Sequence, residues 1–233
     1  MGFRISDFGF RVAGCYMGIG LETGFHFIGL DLGKSRDYSA LAVVERTEVS
    51  LGERDPATFE LRVARRYRIR YLERVRLGTP YPDVVERVRT VIRLVALQGR
   101  CLLVMDATGV GAPVLDMLRR TTLGCGIVPV ILTGGEQESH TAGVWRVPKQ
   151  HLITGLQVML EKRELWTPEK FAGTKLLERE LGGVEARVSR GGGVSYGVWR
   201  EGEHDDLVMA AALACWGARW RGDGIWGIRS LGL

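Results

Sequence analysis

Four aspartates in this chain of 233 residues are hard to explain as structure alone. Asp31 is reached through an apolar run, FHFIGLD, and Asp106 through another, CLLVMD. Asp205 and Asp206 head the stretch GEHDDLVMAAALACWGA, which is apolar all round from Leu207 to Trp216. A carboxylate carried into an apolar run is costly to bury without a cation beside it. If the strands ending on Asp31 and Asp106 are parallel neighbours, about 4.8 Å apart, their carboxylates converge at one edge of a sheet. A buried helix starting at Asp205-Asp206 adds two more at the same edge. Carboxylates this close repel unless divalent cations lie between them, and an all-oxygen ligand set suits Mg²⁺ or Mn²⁺. Two such ions held roughly 3.5–4 Å apart activate a water and stabilise the leaving oxygen of an in-line displacement, which is phosphodiester hydrolysis.

Taken singly, most of these acids have a plainer explanation. Asp205 or Asp206 serves as a helix cap or as a first-turn acid favoured by the helix dipole. Asp106, ahead of Thr108-Gly109, reads as a turn acid, and so does Asp37. Asp31 is the exception, because Ile28, Leu30 and Leu32 flank it in a run expected at the centre of the fold. The conjunction, not any one residue, favours metal ligation. Spacing does not choose between Asp205 and Asp206: with a helix beginning at His204 both lie near its first turn, Asp206 the better placed to face the sheet edge. Glu203 is an outside candidate. GLDLGKS ends like a phosphate-binding loop but has three residues between its glycines where that loop has four, so no phosphate cradle is expected. His204 reads as a cap or a solvent-facing residue.

The elements that would position these acids follow from periodicity. Phe25 to Glu45 reads as an apolar hairpin turning through Gly33 to Asp37. Thr47 to Pro56 reads as a polar loop, and Thr58 to Tyr71 as a third strand with arginines interleaved. In YPDVVERVRTVIRLVALQ, Val84, Val88, Val91, Ile92 and Val95 fall at helical spacing. A buried strand over 101–105 follows, then a helix entered through Pro113, an apolar strand over 126–132, and a polar loop, TGGEQESHTAG. Helices are expected from Pro148 to Lys162 and from Pro168 to Leu181, a hairpin over 184–199, and last the buried helix. This is an α/β pattern with a mixed sheet: three antiparallel strands, then parallel ones, flanked by helices. Residues 1–24 read as a linker or remnant, 25–219 as one domain, and 220–233 as a glycine-rich tail.

With 45% hydrophobic and 25% charged residues, the chain can bury an ample core. It has no apolar run of membrane-spanning length and no secretory signal, which predicts a soluble intracellular protein. Cys15, Cys101, Cys125 and Cys215 lie far apart without a CxxC pair, against structural zinc or a disulfide framework. The formal net charge is +5, and arginines 62, 65, 66, 68, 70, 74 and 76 crowd one segment. Such a stripe fits a polyphosphate such as nucleic acid, or equally a solvated strand face.

The segments IGLDLGKSRDYSALAVV, MDATGVGAPVLDML and VPKQHLITGLQVML, and above all EHDDLVMAAALA after a hairpin, resemble the C-terminal nuclease domain of tailed-bacteriophage terminase large subunits. That family is a branch of the ribonuclease H-like, resolvase-like group, and the resemblance runs from about Phe25 to Ala218. It implies a ribonuclease H-like fold and a two-metal endonuclease that cuts concatemeric double-stranded viral DNA when packaging starts and ends. It implies that Asp31 bridges two Mg²⁺ or Mn²⁺ ions, that Asp106 holds one, and that Asp206 or Asp205 completes the other. By the same resemblance the partners are an ATPase motor domain, a portal and a small terminase subunit, in the cytoplasm of an infected bacterial host. There is no complete ATP-binding loop, so the chain is expected to be a nuclease domain taken from a longer protein, or a standalone or split relative. DNA contact is expected from the Arg62 to Arg76 stripe, Arg66 and Arg68 foremost, from the hairpin with Arg187, Arg190 and Arg200, and from Lys149. Two rival readings are an actin-like or sugar-kinase-like ATPase, because IGLDLGKS also resembles that group's first phosphate turn, and a non-catalytic DNA-binding or assembly module of the same fold. The first predicts a second glycine-rich turn that Asp106-Ala-Thr-Gly matches poorly.

Overall fold

The computed structural model describes residues 24–33, 37–96, 100–168, 173–188, 194–197 and 204–219. Outside them lie the leading segment before Gly24, residues 34–36 of the first turn, Arg190, Arg200, Glu203 and the glycine-rich tail. The chain opens with β1 (Phe25–Asp31), β2 (Ala40–Arg54) and β3 (Leu61–Arg74), followed by α1 (Tyr81–Ala96), β4 (Arg100–Asp106) and α2 (Gly111–Arg119). Next come β5 (Gly126–Thr133), β6 (Ser139–Thr141), β7 (Val144–Pro148), α3 (Lys149–Glu161) and β8 (Leu165–Trp166). The chain continues with α4 (Thr174–Gly183), a separate hairpin of β9 (Glu185–Val188) and β10 (Val194–Gly197), and α5 (Asp206–Arg219).

The main sheet has eight strands in the order β6-β7-β5-β4-β1-β2-β3-β8. β2 lies between β1 and β3 and is antiparallel to both, and β1, β4, β5 and β7 run parallel. This is the expected ribonuclease H-like mixed sheet, with the extra hairpin before the last helix.

Strand alternation sorts the core into two layers. Ile28 and Leu30 of β1 and Leu103 and Met105 of β4 join Val84, Val88 and Ile92 of α1 and Val114 and Leu118 of α2. Phe27, Leu102 and Val104 face the other way, against α5 and α3. Asp31 and Asp106 have the parity of Phe27 and Leu102, so both project on the α5 side. α5 is apolar all round because it is covered all round: every residue from Asp206 to Ala218 is buried.

Gly29 lets this helix lie flat on the sheet. A Cβ there would sit 1.9 Å from the Ala210 carbonyl oxygen and 2.8 Å from the Ala214 nitrogen. Those are backbone atoms, so no rotamer change relieves the clash. Gly29→Ala is expected to cost about 3 kcal/mol, the upper end of overpacking, read as a fall in thermal unfolding temperature; an unchanged temperature would show that α5 tolerates displacement from β1.

Three expected boundaries are corrected. The predicted loop from Thr47 to Pro56 is strand as far as Arg54, because β2 and β3 continue together beyond the sheet as a two-stranded ribbon. Leu51, Leu61 and Val63 are exposed there. With water on both sides the ribbon has no buried face to set its polarity, and only its β3 half reads as strand in sequence. The predicted loop after Thr133 contains β6, and β7 follows it; both are too short for a period to show. The helix expected from Pro168 begins at Thr174, whose hydroxyl donates to the Pro168 carbonyl at 2.9 Å.

A bulge in β3 decides which side of the sheet one arginine faces. Val43 pairs with Tyr71 and Val44 with Ile69, leaving Arg70 as the extra residue. The side-chain alternation reverses across it: Tyr67 and Ile69 belong to the α5 layer, Tyr71 to the α1 layer, and Leu72 to the α5 layer again. Arg74 therefore shares the face of Asp31, whereas Arg66 and Arg68, before the bulge, have the opposite parity.

Candidate metal centre

β1 and β4 pair in parallel up to Leu30 and Met105, so Asp31 and Asp106 are the next residues of adjacent strands. The chain after Asp106 is drawn tight. Asp106 Oδ1 accepts the Thr108 N–H at 2.7 Å, and Thr108 Oγ1 accepts the Leu132 N–H at 2.9 Å, tying the turn to β5. Gly111 opens α2 against this turn, where a Cβ would lie 2.2 Å from the Asp106 carbonyl oxygen.

The third contribution comes from the head of α5. The Asp205 carbonyl accepts the Met209 N–H at 2.8 Å, which makes Asp205 the cap and Asp206 the first helical residue. Asp31, Asp106, Asp205, Asp206 and His204 line one cleft of about 410 Å³, with Gly33, Asp37, Thr108 and Gly109 on its walls. The acids predicted from sequence thus share one cleft, although Asp205-Asp206 are about a hundred residues from Asp106.

Their electrostatics record the crowding. Burial, then the charges of Asp106, Asp206 and Asp205, push the Asp31 carboxyl well above its usual range, with Lys149 opposing. Burial raises Asp106 against its bonds to Thr108 and the charge of Lys149. Burial, with Glu180 adding to it and Arg74 opposing, lifts Asp206 to about 7.

Protein cations hold two of the acids. Lys149, the first residue of α3, places Nζ 2.7 Å from Asp205 Oδ2. Arg74 Nε stands 3.8 Å from Asp206 Oδ2, and His204 Nδ1 stands 3.7 Å from the same oxygen. Both distances exceed a hydrogen bond, and Asp206 Oδ2 is a buried oxygen without a hydrogen-bond partner among the described residues. No three His, Cys, Asp or Glu side chains among the described residues are gathered into a ready coordination sphere. The donor set nonetheless fits a hard divalent cation: all oxygen, with Asp106 and Asp206 buried and Asp31 and Asp205 half-buried, mutually repelling and with one oxygen unpartnered.

Sequence reading missed Glu180 and placed Arg74 only in the DNA-facing arginine stripe. Glu180 on α4 is 4% exposed, and its Oε2 accepts the Leu207 and Val208 N–H groups at 2.8 and 3.1 Å. Arg74 Nη2 donates to its other oxygen. Burial raises the Glu180 carboxyl, with the Val208 N–H and Arg74 opposing. Glu180 follows buried Thr174 and Leu177 at spacing i, i+3, i+6, an acid on the apolar face of a helix, and that was a legible signal. His204 is half-buried, with Tyr38 packed edge-on against it at 5.0 Å and part of its ring still open to the cleft.

The expected DNA contacts separate. Lys149 is at the cleft. Arg66 and Arg68 lie six or more residues back from Arg74 along β3, roughly 20 Å from the acid edge; Arg68 stacks over the exposed Trp166 ring at 6.0 Å. No helix among the described residues is long and apolar enough to cross a membrane.

No family model and no curated protein matches the sequence. Solved structures do. The large terminase nuclease from thermophilic phage G20c with bound magnesium is 25% identical, with a TM-score of 0.54 over 82% of this chain and 80% of that one. The Thermus phage P74-26 large terminase nuclease domain is 23% identical, with a TM-score of 0.52 over 82% and 78%. The nuclease domain of the large terminase subunit of bacterial virus Sf6, with manganese, is 14% identical, with a TM-score of 0.51 over 90% and 92%. The chain therefore has the ribonuclease H-like fold of the large terminase nuclease domains, the family that its sequence resembles.

Proposed function

We propose that this chain is a Mg²⁺- or Mn²⁺-dependent endonuclease that hydrolyses the backbone of double-stranded DNA during phage genome packaging. The observation that carries the reading is the convergence of Asp31, Asp106, Asp205 and Asp206 on one cleft, in a fold shared with a terminase nuclease whose structure holds magnesium. Asp31, between the other acids, would be shared by two ions; Asp106 would hold one of them, and Asp206 or Asp205 the other. When bound, the two ions would supply an activated water and charge stabilisation at the leaving oxygen. The chain's own part is to fix the carboxylates on rigid strand ends, to hold Asp205 with Lys149, and to offer Lys149 to a phosphate once a cation replaces it at Asp205. By family likeness the cut is made beside an ATPase motor, a portal and a small terminase subunit, in the infected bacterial cytoplasm.

Supercoiled plasmid incubated with the protein and Mn²⁺ or Mg²⁺ tests the activity. Cleavage is expected without ATP and is expected to stop on chelation; cleavage that persists in excess chelator would rule the metal reading out. Given their distance from the acids, Arg66 and Arg68 would contact flanking DNA only. Replacing both with alanine is expected to lower the salt slope of DNA binding by about two, and a wild-type slope would remove the stripe from the interface.

A further inference from the structure

Asp206 does not stand alone in its pocket. Arg74 has two carboxylates within reach: Nη2 donates to Glu180, and Nε lies 3.8 Å from Asp206 Oδ2 without bonding to it. The guanidinium is further fixed by the Tyr38 ring, 4.6 Å below it. It also has a place in the sheet register, since Asp31 pairs with Ala40 and Ala40 with Arg74, one line across three strands. Glu180 in turn closes the first turn of α5 by accepting two of its free N–H groups, so one carboxylate sets both the position of the helix head and the partner of the arginine.

Building on the metal-dependent reading above, we propose that Glu180 is a positioning residue that keeps Asp206 available to a divalent cation by holding the Arg74 guanidinium off it. Glu180 takes the directed hydrogen bond of the guanidinium. Arg74 is left close enough to offset part of the repulsion on Asp206, but not bonded to the oxygen a cation needs. Without the Glu180 charge, the guanidinium has one anion left to pair with, and it then competes with the metal for Asp206. The sheet supports this division of labour, because the β3 bulge turns Arg74 onto this face and the cross-strand pairing fixes its height.

The signature is a reversal that loss of packing would not produce. Mn²⁺ binding is read from the electron paramagnetic resonance signal of the free ion, independently of cleavage. E180Q keeps a carbonyl oxygen for the helix N–H groups while losing the charge, and is expected to raise the Mn²⁺ dissociation constant about tenfold or more. The double variant E180Q/R74M removes the competitor and is expected to return the constant to within about threefold of wild type. Cooperative thermal unfolding of each variant establishes that the chain is folded; should E180Q unfold, R74M alone decides, since the proposal requires that it bind Mn²⁺ at least as tightly as wild type. Wild-type affinity in folded E180Q, or a double variant as weak as E180Q, overturns the positioning role and leaves the metal reading intact. Failure of the wild type itself to bind Mn²⁺ overturns the metal reading, and the positioning role with it.

Discussion

Asp31→Asn is expected to lower plasmid cleavage by on the order of 10³-fold or more, and at the same time to make the cation-free protein more stable. The loss follows from position. Asp31 ends β1 beside Asp106 on β4 and lines the same cleft as Asp205 and Asp206. A neutral amide there leaves any ion without its most central charge, and removing one well-placed charge-stabilising group already costs about 10²–10³ in rate. The gain follows from the same crowding. Burial and three neighbouring aspartates all disfavour the Asp31 charge, so asparagine, of nearly the same shape, removes a penalty. Each kcal/mol recovered raises the unfolding temperature of a chain this size by about 2–4 °C. Assays of plasmid nicking and thermal unfolding at pH 8 in chelator read the two effects. A variant both inactive and less stable would mean that Asp31 is a structural acid; a fully active one would remove it from the reaction.

The second large effect is a stability that runs against the usual acid profile. Asp206 is held in the folded chain at about 7, far above an exposed aspartate. Between roughly pH 4 and pH 7 the folded state therefore keeps a proton that the unfolded chain has already lost, and stability falls as pH rises through this window. The shift corresponds to at most about 4 kcal/mol for this buried group. Asp31 and Asp106, also raised by burial, act in the same direction. A divalent cation binds the deprotonated forms, so its stabilising effect grows as the acids lose their protons. Unfolding temperatures in chelator should drop from pH 5 to pH 8, and the increment on adding Mn²⁺ should be larger at pH 8. The Asp206→Asn variant should flatten the chelator curve. An increment that is the same at both pH values would contradict a site built from raised carboxylates.

The sequence carried most of the topology for a simple physical reason: an element buried on one face must repeat its apolar residues at its own period. α1 was legible from Val84, Val88, Val91, Ile92 and Val95, all of which are buried. β1 and β4 were legible because each ends an apolar run on one acid. α5 declared itself by having no polar face, as only a helix covered on every side can. Period failed where burial failed. The β2 half of the ribbon beyond Thr47 has water on both faces, and β6 and β7 are shorter than any pattern.

The four aspartates were legible for a related reason, since a charge in an apolar context has to be accounted for. Their convergence was an inference from sequence, and the strand register and the α5 cap made it geometry. What only the tertiary structure decided is how those charges are kept in balance. Lys149 reaches Asp205 from a helix start more than fifty residues away, Glu180 caps a helix to which it does not belong, and a single bulged residue turns Arg74 from the face of Arg66 and Arg68 to the face of Asp31. No local pattern encodes a bulge or a cap supplied from another element, because both depend on where the chain returns in space. The sequence by itself determined which acids are carried into apolar surroundings; the fold determined which charges stand beside them.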